Sequence, residues 1–199
     1  LSSCNQSKTQ TLPILGNPRI ITHSNNGTVT IDSIYPTIRN FSFINQDSIT
    51  ITNQTFSNKI YVADFIFLSC VTICPNMNQS MLEVYKAYEK NPNILFLSHT
   101  IDPSNDTIPR LKEYSNAINV SSTKWHFVTG NQDSIYNIAD KNYFATAYKD
   151  VEAEGGYTHS GGLLLINKQK HIRGVYDGID PNETERLIKD IQILLKEQF

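Results

Sequence analysis

From residue 60 onward the chain alternates between two apolar patterns. "KIYVADFIFLS", "NILFLSHTI" and "KWHFVTG" are nearly continuous β-branched and aromatic runs, as expected of strands buried on both faces. Between them, apolar residues recur at helical intervals. "NMNQSMLEVYKAYEK" places Met77, Met81, Val84 and Tyr88 on one stripe, and both methionines read as core packing rather than metal ligands. "NDTIPRLKEYSNAI" predicts a second helix, with Asp106 or Thr107 as cap and Pro109 near the first turn. "NQDSIYNIADKNYF" begins a third helix, and "GGLLLINKQKHIRGVYDG" reads as strand, short turn, strand. The closing "DPNETERLIKDIQILLKEQF" is an amphipathic helix capped around Asp180, with Pro181 at its start. Glu183 and Glu185 favour its positive end.

Ahead of residue 60 the pattern is broken more often by turn residues. "GTVTIDSI" alternates after "SNNG", and "FSFINQDSITITNQTF" predicts two strands around an Asn-Gln-Asp-Ser turn. Residues 19–58 are therefore expected to form an N-terminal β-hairpin layer on a single domain spanning 19–199, with 1–18 as a tether and lead-in loop. The predicted order is β-hairpin, β, α, β, α, β, α, β, β, α. A βαβ half followed by an antiparallel hairpin and a terminal helix is the thioredoxin plan. The expected fold class is thus α/β, thioredoxin-like, with an N-terminal β-hairpin extension.

Composition narrows the function. A length of 199 residues suits one domain, and a net charge of −2 carries no electrostatic footprint for nucleic acid. No stretch approaches the roughly 18 consecutive apolar residues of a membrane-spanning helix. Three cysteines are too few for a disulfide scaffold. Cys4 stands in "LSSC", the pattern of a bacterial lipoprotein processing site, and the polar, Pro/Gly-punctuated "NQSKTQTLPILGNP" after it suits a tether. Cys4 is accordingly a candidate lipid anchor.

The other two cysteines, Cys70 and Cys74, follow the most apolar strand as Cys-x-x-x-Cys-Pro. Pro75 suits a first helical position, so Cys74 is expected as the N-cap. A thiol there faces unpaired N–H groups and the positive helix end, which favour thiolate. With one residue more than Cys-x-x-Cys, regular helical spacing would put the Cβ atoms about 5–6 Å apart. A disulfide wants roughly 3.5–4.5 Å. A metal spans the gap more easily, with bonds to sulfur of about 2.3 Å; a disulfide remains open. Redox thioredoxins face their disulfide with a cis-proline before the third core strand. The corresponding stretch here, "GGYTHSGGLLLIN", has no proline but holds His159. Of the other histidines, His99 and His126 fall in or beside core strands, His171 at a hairpin turn and His23 in the N-terminal layer. Two thiolates and one imidazole make a soft three-ligand set suited to Cu(I). Asp150, Glu152 and Glu154 lie shortly before His159 and read as a solvated hairpin, or as a docking patch.

"ADFIFLSCVTICPNM", "FLSHTIDPSNDTIPRLKEY", "KWHFVTG" and "YTHSGGLLLINKQKHIRGVYDG" resemble the Sco/SenC proteins over roughly residues 12–199. The resemblance implies a thioredoxin-fold copper protein that binds Cu(I) or Cu(II) through Cys70, Cys74 and His159. It implies a role in assembling the dinuclear copper centre of cytochrome c oxidase subunit II, by delivering copper or reducing cysteines. It also implies a site in the bacterial cell envelope, periplasm-facing and membrane-anchored, which fits Cys4. The implied role is a metallochaperone's rather than an enzyme's. The sequence departs from many relatives at Val71, where they have proline, and at Thr158, where they have aspartate. Neither change removes a ligand; the second bears on the hydrogen bonding of the histidine. The main rival is a thiol–disulfide oxidoreductase acting on a partner's cysteines. A peroxidase lacks its Pro-x-x-x-Thr-x-x-Cys arrangement, and a structural zinc site lacks a fourth ligand.

Overall fold

A computed structural model describes residues 10–25, 28–69, 74–150 and 157–199. Its centre is a seven-stranded mixed sheet. Three parallel strands form the middle: β5 (Ile60–Ile66), β6 (Ile94–Thr100) and β7 (Trp125–Thr129). Every residue of the three is buried, which is why their sequence shows no polar face. On one flank β10 (Gly162–Ile166) pairs antiparallel with β5, and β11 (Ile172–Asp177) pairs with β10. On the other flank β3 (Ser42–Asn45) pairs with β7, and β4 (Thr50–Thr52) closes the edge.

Alternation along β5 divides the core in two. Ile60, Val62 and Ile66 pack with Met81, Val84 and Tyr88 of α1 (Cys74–Tyr88), Leu111 of α2 (Ile108–Ala117), and Leu187, Ile191 and Leu194 of α4 (Pro181–Gln198). Tyr61, Ala63, Phe65 and Phe67 pack on the other side with Ile135 and Ile138 of α3 (Gln132–Ile138) and with Tyr143. Met77 and Met81 are both fully buried, the core role their spacing suggested. The helix caps follow local rules: Asp180 accepts from the Asn182 N–H, with Pro181 opening α4. Thr107 stands at the cap of α2 without a side-chain bond, and Asp106 is turned elsewhere.

Residues 19–58 do not form one layer. β1 (Arg19–Asn25) and β2 (Thr28–Ile34) make a separate antiparallel ribbon, whereas β3 and β4 extend the central sheet. The sequence pattern separates these poorly, because short β3 owes its place to pairing with β7, and β4 to pairing with β3, rather than to their own periodicity. Residues 12–15 are strapped to the domain. Buried Arg173 donates to the carbonyls of Leu12 and Pro13 and grips Glu197 through two bonds of 2.8 Å. The Leu15 N–H donates to the Ile172 carbonyl at 2.9 Å. A π-helical turn, Ala139–Tyr143, continues α3 and ends on Phe144 in the left-handed region. It leads to β8 (Ala147–Lys149), which pairs with β9 (Tyr157–His159); neither three-residue strand carries a pattern long enough to read.

Candidate metal centre

The strand order brings two distant segments together. β10 runs antiparallel to β5 with Leu164 opposite Ala63. The segment leading into β10 therefore meets the segment leaving β5. One carries His159; the other runs through Phe67, Leu68 and Ser69 to Cys70. The rings of Phe67 and His159 meet edge to face, with centroids 5.6 Å apart.

His159 is the last residue of β9. Its pairing with Ala147 fixes the backbone. The imidazole is half-buried, and its Nδ1 lies 3.2 Å from the Ser160 carbonyl oxygen. Burial lowers its pKa, and main-chain groups of Ser160 and Phe65 offset part of that. The ring is thus held towards its neutral form, the form that ligates metals. The tautomer that donates Nδ1–H to Ser160 is the one that places the lone pair on Nε2.

Thr158 does not leave the neighbourhood without a carboxylate. Its hydroxyl donates to Asp150 Oδ2 at 3.0 Å. Asp150 comes from the end of β8, across the ribbon, so the acidic group stands beside position 158 rather than on it.

Cys74 is the first helical residue of α1, with Pro75 second. The helix therefore starts one residue earlier than expected, and the cap position falls outside the described residues. Proline is tolerated there, because first-turn N–H groups have no partner within the helix. Cys4, Cys70, Val71, Glu152 and Glu154 lie outside the described residues.

The remaining histidines have other partners. His99 is fully buried, stacked on Phe65 and edge-on to Phe41, Phe43 and Tyr143. His126 is buried beside Asn45, which lies 3.3 Å away. Desolvation drives their pKa values down to about 3 and about 4. His171 Nδ1 lies 3.0 Å from the Pro36 carbonyl, and His23 pairs with Asp32 on the exposed ribbon.

Sequence reasoning missed the residues that support this site. Asp106 accepts from the Leu68 N–H, and Tyr157 donates to Asp102. The visible signal was the acidic pair in "TIDPSND", which read only as a helix start. Gly178 is a second such position. A Cβ there would meet the Gly161 carbonyl at 2.8 Å and Met77 Cγ at 3.0 Å. The end of β11 thus approaches both the His159 segment and the first turn of α1. Gly178→Ala is expected to cost about 1–3 kcal/mol of stability, read as a lower urea midpoint at unchanged slope.

A mixed sheet flanked by helices, with a cysteine opening the helix after the first of its parallel strands, defines a thioredoxin-like protein. The model of the SCO1/SenC family matches residues 32–196, and the chain belongs to that family. It is 29% identical over 154 residues to the SCO1 protein homolog of Bacillus subtilis, covering 76% of this chain and 79% of that one. A SCO1/SenC family lipoprotein from Bacillus anthracis has a similar structure, with a TM-score of 0.72 at 28% identity over 80% of this chain and 95% of that one. BsSco is a member of the Sco family of cytochrome c oxidase assembly proteins in which a disulfide switch was identified. It matches with a TM-score of 0.70 at 27% identity, over 79% and 92% of the two chains. Copper-bound Arabidopsis thaliana ScoI shares the fold at 20% identity and a TM-score of 0.64, over 77% and 97%. Among the described residues, no helix is long and apolar enough to cross a membrane.

Proposed function

We propose that this chain is a copper metallochaperone that holds copper through the thiolates of Cys70 and Cys74 and the imidazole of His159. Its acceptor is the dinuclear copper centre of cytochrome c oxidase. The observation that carries the reading is the meeting of two segments at one end of the sheet. His159 packs on Phe67, three residues before Cys70, and Cys74 opens the adjacent helix. The donor set fits soft Cu(I). Two thiolates, one Cu(I) and a neutral imidazole leave a net charge of about −1, which the helix N-terminus offsets in part. Three ligands also leave room for an incoming donor from the acceptor, so copper can move by ligand exchange. Copper-bound structures of the same fold and an oxidase-assembly relative support the assignment. A lipid on Cys4 would anchor the domain in the bacterial envelope, facing the periplasm, as the lipoprotein relative suggests.

The disulfide switch in BsSco favours a second reading, a thiol–disulfide oxidoreductase. In that reaction Cys70 and Cys74 give two electrons and two protons to a partner's disulfide and become a disulfide themselves. Cu(I) titration of reduced protein against a competing chelator separates the two. The chaperone reading expects one tightly held Cu(I) per chain, with affinity at least about tenfold weaker in His159→Ala. Equal affinity in both proteins would remove His159 from the ligand set. Failure of the wild type to compete would favour the reductase.

A further inference from the structure

We infer that the turn between β6 and α2, residues 101–106, braces the candidate centre, with Asp102 and Asp106 as positioning residues for its two halves. The inference rests on the copper reading for its function, and on the hydrogen bonds below for its geometry.

Asp106 serves the cysteine side. It is fully buried. Its Oδ2 accepts from the Leu68 N–H at 3.0 Å and from the Thr100 hydroxyl at 2.6 Å. Its Oδ1 lies 3.5 Å from Nη1 of Arg110, whose Nη2 donates to Ser69 Oγ at 3.1 Å. The two residues before Cys70 are thus each held, one by a carboxylate and one by a guanidinium.

Asp102 serves the histidine side. It is 2% exposed, and its Oδ1 accepts from the Tyr157 hydroxyl at 2.8 Å. Tyr157 stands two residues before His159 on β9. The other oxygen accepts from Asn105 Nδ2 at 2.8 Å. Ring contacts close the frame, since Phe67 packs on both Tyr157 and His159, with centroids 5.3 and 5.6 Å away.

The turn itself is stiff. The Asp106 and Asn105 N–H groups both donate to the Asp102 carbonyl, at 2.8 and 3.1 Å. The Asp102 N–H donates to Thr100 Oγ1 at 3.1 Å, and the Ile101 N–H to the Ile66 carbonyl at 2.8 Å. Burying carboxylates is costly even when they are well bonded, and apolar side chains would fill the same space at lower cost. Each carboxylate instead holds a different ligand-bearing segment. Ligands held in place before metal arrives bind it more tightly.

The test compares Tyr157→Phe, Arg110→Ala and Asp106→Asn with the wild type. Two quantities are read: Cu(I) affinity by chelator competition, and the exchange constant of the Cys70–Cys74 dithiol with glutathione in metal-free protein. Tyr157→Phe is expected to lower Cu(I) affinity about tenfold and leave the dithiol constant unchanged, because its hydroxyl holds only the histidine side. Arg110→Ala, which alters a partly exposed side chain, is expected to lower Cu(I) affinity by a similar factor and to shift the dithiol constant as well. Asp106→Asn should move both in the same direction as Arg110→Ala. Unchanged Cu(I) affinity in both Tyr157→Phe and Arg110→Ala overturns the brace. Equal dithiol shifts in those two variants also overturn it, since that pattern reports general loosening. A wild type without tight Cu(I) defeats the copper reading instead; the dithiol split between Arg110→Ala and Tyr157→Phe then still decides the cysteine half of the brace.

Discussion

Cys74→Ser is expected to abolish tight Cu(I) binding, and Cys70→Ser to do the same. Zinc sites with four protein ligands bind with about 10–16 kcal/mol in total, or about 3–4 kcal/mol per ligand. Loss of one such ligand weakens binding on the order of a hundred- to a thousandfold. Serine compounds the loss, because its hydroxyl stays protonated and is a hard donor that Cu(I) disfavours. Cys4→Ser should leave affinity unchanged, since Cys4 is assigned to the anchor. Chelator competition on the three variants checks the pattern. Tight binding retained in Cys70→Ser or Cys74→Ser would refute the ligand assignment.

Asp64→Asn is expected to stabilise the protein at alkaline pH and to do little at acidic pH. Asp64 lies on β5, fully buried, opposite Ser98 of β6. Neither carboxylate oxygen makes a hydrogen bond of normal geometry among the described residues. The Ser98 hydroxyl, which also accepts from Trp125 Nε1, gives limited relief. Burial raises the pKa of Asp64 from 3.8 to about 7, with Ser98 pulling it down in part. The folded state therefore keeps a proton that the unfolded state releases. The stability tied to that proton is fully present below pH 3.8 and is gone once pH has risen through about 7. About three pKa units correspond to roughly 4 kcal/mol at most. His99 and His126 act in the opposite sense. Their folded pKa values are depressed from 6.5, so they favour stability as pH rises to that value. The wild-type profile mixes these trends, and only its difference from Asp64→Asn isolates the aspartate. Urea unfolding at pH 4, 6 and 8 should show that difference opening from near zero to a few kcal/mol. A difference independent of pH would mean that the carboxylate is compensated in the fold.

Much of this organisation was legible in the chain. β5, β6 and β7 announced themselves, because strands buried on both faces need unbroken apolar runs. The α1 and α4 stripes were plain for the complementary reason. The sequence placed His159 where a redox thioredoxin keeps its proline, and the structure sets it beside the segment that leads to Cys70. What was hidden depends on contacts between distant residues. "TIDPSND" looks like any strand-to-helix turn until Leu68 and Tyr157 fold against it. The Asp150 carboxylate beside Thr158 depends on the pairing of β8 with β9. The division of residues 19–58 depends on β7 accepting β3 at its edge.

The strap at residues 12–15 has a consequence for reach and orientation. Arg173 and Ile172, which hold it, begin β11. The candidate centre lies at the other end, where Asp177 pairs with Gly162. A lipid on Cys4, as proposed, would leave eight residues up to Leu12. Fully extended, they span about 26–29 Å. The domain would then be moored by the pole opposite its cargo, with the copper end turned outward.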